Sequence, residues 1–298
     1  MRVHGKHFVI EGRVIRIARL SAEGFEFVAH PEESLAALRE SRSRIDLVTF
    51  TQRLPDTSPE HKYSMEWDNV AALPVSTFEH WWKEQINGKT RNMIRRAEKS
   101  KVVMREVPFD EDLVHGIWQI YNECPVRQGR VFPHYGKSID AVRRMSRTFL
   151  NSSVFIGAYL GDELVGFAKL TIDETRSQAA VMHIIAMIQH RDKSTTNALI
   201  AEAVNACANR GIPYLVYSRF AFGSKTSDSL SKFKESSGFR RVDIPRYYVP
   251  LTWIGRWALR FGLHHRLIDR VPEPAMARFR EFRTAWYARK APTVLGAS

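Results

Sequence analysis

Residues Met187–Gly211, MIQHRDKSTTNALIAEAVNACANRG, leave a strand, cross a polar loop and enter a capped helix. Leu199, Ile200, Ala203, Val204, Cys207 and Ala208 keep the spacing of one helical face. Ser194, Thr195 and Thr196 each suit the N-cap, Asn197 lies in the first turn, and Gly211 suits the position just past the end. A strand–loop–helix of this kind aims free N–H groups and the positive end of the helix dipole at the loop, where an anion can sit. Arg191 and Lys193 add charge of the same sign. The loop QHRDKSTT contains no glycine, so an anion site is expected there, while a tight pyrophosphate cradle does not follow.

The flanking sequence extends the pattern. SSVFIGAYLGDELVGFAKLTID reads as a hairpin turning at Gly161 and Asp162, and AAVMHIIAMI as the strand that feeds the loop. After Gly211 come a strand, PYLVYSRF, a polar loop, a short helix, SDSLSKFKESSG, and a strand, RRVDIPRYYVPL. Helices over Glu111–Glu123 and Ser138–Asn151 precede the hairpin. This order predicts an α/β (α+β) layer architecture, a mixed sheet flanked by helices.

Residues 7–108 read as a shorter mixed half. HFVIEGRVIRIARL, GFEFVAH and RIDLVTFTQRL are predicted strands, and HPEESLAALRESRS a helix entered at its proline. STFEHWWKEQINGKTRNMIRRAEKSK is a long basic helical region, capped by Ser76 and broken or kinked at Gly88. The chain thus divides into 1–108, 109–250 and a basic tail, 251–298. In the tail, Trp253, Ile254, Trp257, Phe261 and Leu267 are set against Arg256, Arg260, Arg266 and Arg270. That suits a membrane-interface helix, with peripheral membrane contact through 251–290. The alternative is a helix that packs its apolar stripe on the body.

Composition narrows the function classes. The 298 residues hold 45 Lys+Arg against 32 Asp+Glu, a net charge of +13. This favours an anionic partner: nucleic acid, an anionic membrane surface, or a phosphorylated donor or acceptor. An apolar share of 44% argues against wholesale disorder. With only Cys124 and Cys207, no disulfide framework and no thiolate metal site is expected, and no metal is assigned. The N-terminal residues show no apolar signal region, and no apolar run reaches the roughly 18–20 residues that span a bilayer. The expected location is cytoplasmic, with peripheral contact at the inner face of the membrane.

Four groups of residues could carry chemistry. Residues 83–105 hold eight Lys/Arg and two Glu. Arg91, Arg95 and Lys99 recur at i, i+4 and i+8, forming one cationic stripe suited to phosphates. The segment IYNECPVRQGRVFPHYGKS crowds Tyr121, Asn122, Glu123, Arg127, Gln128, Arg130, His134 and Tyr135 into one loop, as a substrate-binding segment would. Glu123 is its nearest general base or amine anchor, while Cys124 has no sequence-adjacent activating group. His183 lies inside an apolar strand, either as a satisfied core residue or as a base for an amine. Lys225, Lys232 and Lys234 surround the short helix ending at Gly238, where a lysine could stabilise an oxyanion or a leaving phosphate.

With these residues in view, Val154 to Leu251 resembles the acyltransferase core of the GNAT superfamily: hairpin, central strand, phosphate-facing loop, helix, then strand–helix–strand. GNAT enzymes bind acyl-coenzyme A at a Q/R-x-x-G-x-G/A loop, and QHRDKST keeps the polar start without either glycine. Residues 10–250 are similar to the FemAB-like branch, the Fem-type transferases that use aminoacyl-tRNA. KTRNMIRRAEKSKV resembles their basic K-x-R-x-x-I-R-K-A-x-K-x-G-V linker between two GNAT-like halves, with Lys101 where glycine is usual. TNALIAEAVNACANRG resembles their Asn-led helix, and DSLSKFKESSGF their phenylalanine–lysine segment. The resemblance implies a catalytic or phosphate-binding role for Phe233 and Lys234, and a first half that is a degenerate GNAT-like unit.

Together these readings predict an acyl- or aminoacyltransferase. Its donor would be an aminoacyl-tRNA or an acyl-CoA, serving as co-substrate rather than as a tightly bound cofactor. The acceptor would be an amine, on a cell-envelope precursor in the Fem-type case. Glu123 or His183 would take the proton, while Lys234, Arg191, Lys193, Ser194, Thr195 and Asn197 would hold donor phosphates or the oxyanion. A different class is a catalytically silent GNAT-like protein that binds RNA or anionic lipid.

Overall fold

The structure is a computed structural model, and residues 1–220 and 229–265 are described. Eleven strands form one continuous sheet, in the order Arg2–Val3, Lys6–Glu11, Ile17–Leu20, Leu47–Thr51, Arg240–Pro250, Ser64–Pro74, Tyr214–Val216, Ala179–Ala186, Glu163–Ile172, Ser153–Leu160, Val102–Val107. Its first part comprises β1 (Arg2–Val3), β2 (Lys6–Glu11), β3 (Ile17–Leu20), helix α1 (Pro31–Arg39) and β4 (Leu47–Thr51). Next come the long strand β5 (Ser64–Pro74), the turn of helix α2 (Phe78–His80), a π-helical turn (Trp81–Gln85), α3 (Gly88–Lys99) and edge strand β6 (Val102–Val107). The second part adds α4 (Glu111–Asn122), a two-residue hairpin of β7 (Val126–Arg127) and β8 (Arg130–Val131), and α5 (Ile139–Ser146). Strands β9 (Ser153–Leu160), β10 (Glu163–Ile172) and β11 (Ala179–Ala186) follow, then α6 (Thr195–Asn209), β12 (Tyr214–Val216), α7 (Ser229–Ser236), β13 (Arg240–Pro250) and α8 (Trp253–Arg260).

The segments 1–108 and 109–250 do not make separate sheets. β5, from the first segment, lies between β12 and β13, and β13 lies between β5 and β4. Each segment therefore lends a strand to the other, and β13 pairs antiparallel with β5 over Arg240–Tyr248 and with β4 over Arg246–Pro250. Two helical layers cover the second part of the sheet. On one face α3 and α6 bury Ile94, Ala97, Ala198, Leu199, Ala203 and Val204 against Ala168, Leu170 and Val181. On the other, α4 and α5 pack Leu113, Ile117, Ile120, Tyr121 and Val142 over Phe155, Leu164 and Phe167.

Several local expectations change. HFVIEGRVIRIARL divides into two antiparallel strands, β2 and β3. GFEFVAH is irregular, carrying one isolated bridge, because its polar groups bond across the fold instead of along a ladder. The Gly24 carbonyl accepts from Gln178, and Glu23, just before the segment, takes Arg246. The basic helical region is two helices: Thr77, not Ser76, caps the first, and Asn87 caps the second by accepting from Thr90 N at 2.9 Å. The break falls at Ile86 and Asn87, one residue before Gly88. The Gly161–Asp162 turn is present as read, with Leu160 opposite Glu163.

Candidate functional site

The site lies where β11 leaves β12. These two strands run parallel, but they pair only at Ala179–Leu215 and Ala180–Val216. Beyond that, Tyr217 and Ser218 follow β5, bonding Ala71 on both sides, while β11 continues to Ala186 along β10. The two strands part there, leaving a gap between them. Beside it β11 bulges: His183 pairs with Lys169 and Val181 with Leu170, so Met182 is the extra residue. A bulge puts two successive side chains on one face, here Met182 and His183 on the α4 face.

His183 sits in an aromatic nest. Its ring is 6.1 Å from His134 and 6.5 Å from Phe167, and His134 stacks on Tyr121 at 4.5 Å and 19°. Burial holds the His183 pKa down to about 4, helped by His134 and Lys169, and burial also lowers that of His134. Both rings are therefore neutral at pH 7. Among the described residues the Nδ1 of His134 is buried with no hydrogen-bond partner. The loop singled out in the sequence thus brings Tyr121 and His134 to His183. Gln128, Arg130 and Tyr135 remain exposed around it.

Glu123 and Arg127 form a clamp. The Glu123 carboxylate accepts from Arg127 Nη2 at 2.8 Å, from Ile188 N at 2.8 Å and from Gln189 N at 2.9 Å. Arg127 also donates to the carbonyls of Ala186 at 2.8 Å and Ile120 at 2.7 Å. The pair fastens the end of β11 and the start of its loop to the C-terminus of α4. Asn122 adds a second tie, donating to Trp118 O and accepting from Gly136 N.

The loop then makes a 3₁₀ turn at Arg191–Lys193 and enters α6 through Ser194. Ser194 is the N-cap residue, as read, but it adopts the left-handed region at φ +58° and makes no side-chain cap bond. That conformation, rare outside glycine, gives the loop the turn for which no glycine is present. Among the described residues the N–H groups of Thr195 and Thr196 have no acceptor, while Asn197 N bonds the Ser194 carbonyl. Thr195 is buried, and its Oγ1 has no partner among the described residues. Gly166 on β10 explains how closely this terminus approaches: a Cβ there would lie 3.0 Å from Thr195 Cγ2. Arg191 is exposed and Lys193 half-buried, and α3 passes beside this turn.

The cationic stripe of α3 is only partly free. Arg91 Nη1 donates to the carbonyls of Trp82, Lys83 and Ile86, closing the preceding π-helical turn. Arg95 lies 5.5 Å over the Trp82 ring, and Lys99 is exposed. Lys234 is fully buried on α7, donating to Arg219 O at 2.5 Å and lying 4.8 Å over Tyr217. Phe233 packs against the α6-side core. Lys234 and His183 consequently belong to opposite faces of the sheet. Lys225 and the tail beyond residue 265 lie outside the described residues.

Some participants escaped the sequence reading. Lys169, on β10, is buried with its amine on Ser146 O at 2.9 Å and on Thr148, and burial lowers its pKa to about 8. A lone lysine in LVGFAKLTI was the available signal. Arg246 joins Glu23 at 2.8 Å to Asp68 at 2.7 Å, and Arg219 reaches Asp68 at 2.9 Å, a charge network just past the end of β12. Glu66, His264 and His265 bring ligand-type atoms within 4.8 Å of one another. Two imidazoles and a carboxylate would supply three ligands of a tetrahedral site, but here both rings already share Glu66 Oε1, at 2.9 and 3.2 Å.

No protein-family model and no curated protein matches the chain. Solved structures do. FemX is 9% identical with a TM-score of 0.57, the match covering 80% of this chain and 83% of that one. The C-terminal DUF2156 domain of a protein assigned as a lysylphosphatidylglycerol synthetase from Agrobacterium fabrum is 15% identical, with TM-score 0.53 and coverage of 85% and 82%. L-PGS from Bacillus licheniformis is 12% identical, with TM-score 0.53 and coverage of 81% and 80%. At such identities the likeness is one of architecture alone: the chain has a GNAT/FemAB-like fold.

Proposed function

We propose that the protein is an acyl- or aminoacyltransferase working in the β11–β12 cleft, with an aminoacyl-tRNA or an acyl-CoA as donor and an amine as acceptor. The observation that carries this reading is the divergence of β11 from β12, with the loop that leaves β11 ending in a helix N-terminus whose first N–H groups are open among the described residues. A thin acyl or aminoacyl arm fits between two parted strands, and its phosphates would meet Thr195 N, Thr196 N, Arg191 and Lys193.

The amine would approach from the α4 face, past Tyr121 and His134. Its nitrogen attacks the donor carbonyl carbon; a C–N bond forms and the bond to the leaving oxygen or sulfur breaks. The amine proton passes to the neutral ring of His183, which hands it on to the departing oxygen or sulfur and is restored to the neutral form that its buried site favours. Glu123 acts differently. Three donors already occupy its carboxylate, so it positions the loop and is not the base. Lys234 lies on the α6 face, opposite the amine's approach, and its buried amine is held on the Arg219 carbonyl.

Binding separates the donors. Acetyl-CoA and unfractionated aminoacyl-tRNA are titrated against the wild type and an Arg191→Ala/Lys193→Ala variant. One donor is expected to bind, and to lose about tenfold in affinity in the variant, with tRNA showing the steeper salt dependence. If neither donor binds the folded protein, the transferase reading fails and a silent lipid- or RNA-binding scaffold replaces it.

A further inference from the structure

The last described helix, α8, presents a surface that the cleft does not use. Trp253, Trp257 and Phe261 recur at i, i+4 and i+8; Trp253 is 64% and Trp257 53% exposed. Trp257 stacks on Phe261 at 5.2 Å and 12°. The helix turns its smallest residues inward instead: Gly255 and Ala258 are the buried ones, and a Cβ on Gly255 would fall 1.9 Å from the Asp46 carbonyl oxygen. A helix that packed its apolar stripe on the body would do the reverse. Arg256 and Arg260 are exposed beside the indoles. Both ends of the element are fixed to the body. Thr252 caps it and donates to Asp46 at 2.8 Å, and the buried ring of His264 bonds Glu66 at 2.9 Å just after it.

We propose that the outward face of α8 docks on the surface of an anionic lipid bilayer. Indole rings settle at the boundary between headgroups and acyl chains, and arginines beside them grip lipid phosphates. The charge of the whole chain, +13, has the matching sign. A second copy of the chain fits less well, because a two-fold interface through this face would set Arg256 and Arg260 of one copy against those of the other. Location supports the same occupant. β13 runs parallel to β11 and β12, through the antiparallel intermediary β5. α8 thus follows β13 on the side of the sheet toward which the β11–β12 cleft opens, and docking would turn that opening toward the headgroup layer.

The test is flotation of the full chain with phosphatidylcholine vesicles, plain or carrying about a third phosphatidylserine, without any donor, so that it stands or fails apart from the transferase reading. The wild type is expected to float with the anionic vesicles only, with a blue shift of indole emission. Trp253→Ser/Trp257→Ser and Arg256→Gln/Arg260→Gln should each weaken partitioning by about tenfold or more, with circular dichroism unchanged. The first variant keeps every charge, so its loss separates insertion from adsorption of a basic protein. The proposal is overturned if the wild type stays with the soluble fraction, or if the tryptophan variant floats equally well. It is likewise overturned if a dimer found by ultracentrifugation dissociates in that variant, or if acrylamide reaches neither indole without lipid, which would mean that another part of the chain covers the face.

Discussion

Replacing Glu123 by Gln tests whether this residue is a clamp. The carboxylate serves three donors, two of them backbone N–H groups on the cleft loop, and its bond to Arg127 is largely sheltered, with side chains 15% and 13% exposed. A neutral amide keeps one acceptor oxygen and turns an NH₂ toward a donor. The charge-assisted bond to arginine is worth about 1.5–3 kcal/mol and an unmatched backbone donor about 1–3 kcal/mol. Ile188 is 40% exposed, so water replaces part of the loss, and a net cost of about 2 kcal/mol follows. If the cost falls on local opening of the loop, exchange of the Ile188 and Gln189 amides accelerates about thirtyfold, since each 1.4 kcal/mol is about a factor of ten. If it falls on global unfolding, Tm drops by only about 3 °C for a chain of this size. Hydrogen exchange resolved at these amides, run beside a thermal melt, distinguishes the two. Unchanged exchange and unchanged Tm would refute the clamp and return Glu123 to the role of base.

Two other outcomes follow from the geometry. Gly255→Ala, which in an open helix adds about 0.5–1 kcal/mol of stability, should here lower Tm and expose the Thr252 region to protease, because the new methyl group would overlap the Asp46 carbonyl. The second concerns pH. His183 has its pKa depressed to about 4 from an unfolded value of 6.5. Between those values the unfolded chain binds more protons, so stability is present above pH 6.5 and is lost as pH falls toward 4. The full loss is about 3 kcal/mol, and a His183→Gln variant, compared by urea melts across this window, should show a flatter profile.

The second part of the fold was legible because its signals were local: a two-residue turn at Gly161–Asp162, an apolar strand, and a helix with regular apolar spacing ending at Gly211. β5 was not. SMEWDNVAALP carries Asp68 and Asn69 at its centre and lacks a clean alternation. Asp68 is tolerated in the strand because Arg246 and Arg219, remote in sequence, neutralise it and hold its carboxylate below the usual range despite burial. GFEFVAH failed for the converse reason, since alternating aromatics imitate a strand while its Gly24 and the preceding Glu23 are tied elsewhere. In the site, the polar loop 121–135 and His183 were visible as chemistry-bearing residues. The clamp was not, because the partners of Glu123 are main-chain amides, which no side-chain pattern announces. The left-handed Ser194 is a further case, as a serine before a helix reads as a side-chain cap and here supplies backbone shape.

The interleaving of β5 and β13 governs the order in which this chain can be completed. β4 and β5 are synthesised close together, yet they never pair with each other; the strand that joins them is the last of the sheet, some 180 residues later. Until Arg240–Pro250 has emerged, facing edges of β4 and β5 stay unsealed, and the Asp68 carboxylate waits for Arg246. A nascent chain on the ribosome therefore holds an open sheet for most of its synthesis. Such edges are the ones chaperones shield and aggregation exploits, so the burden of folding falls on the closing strand.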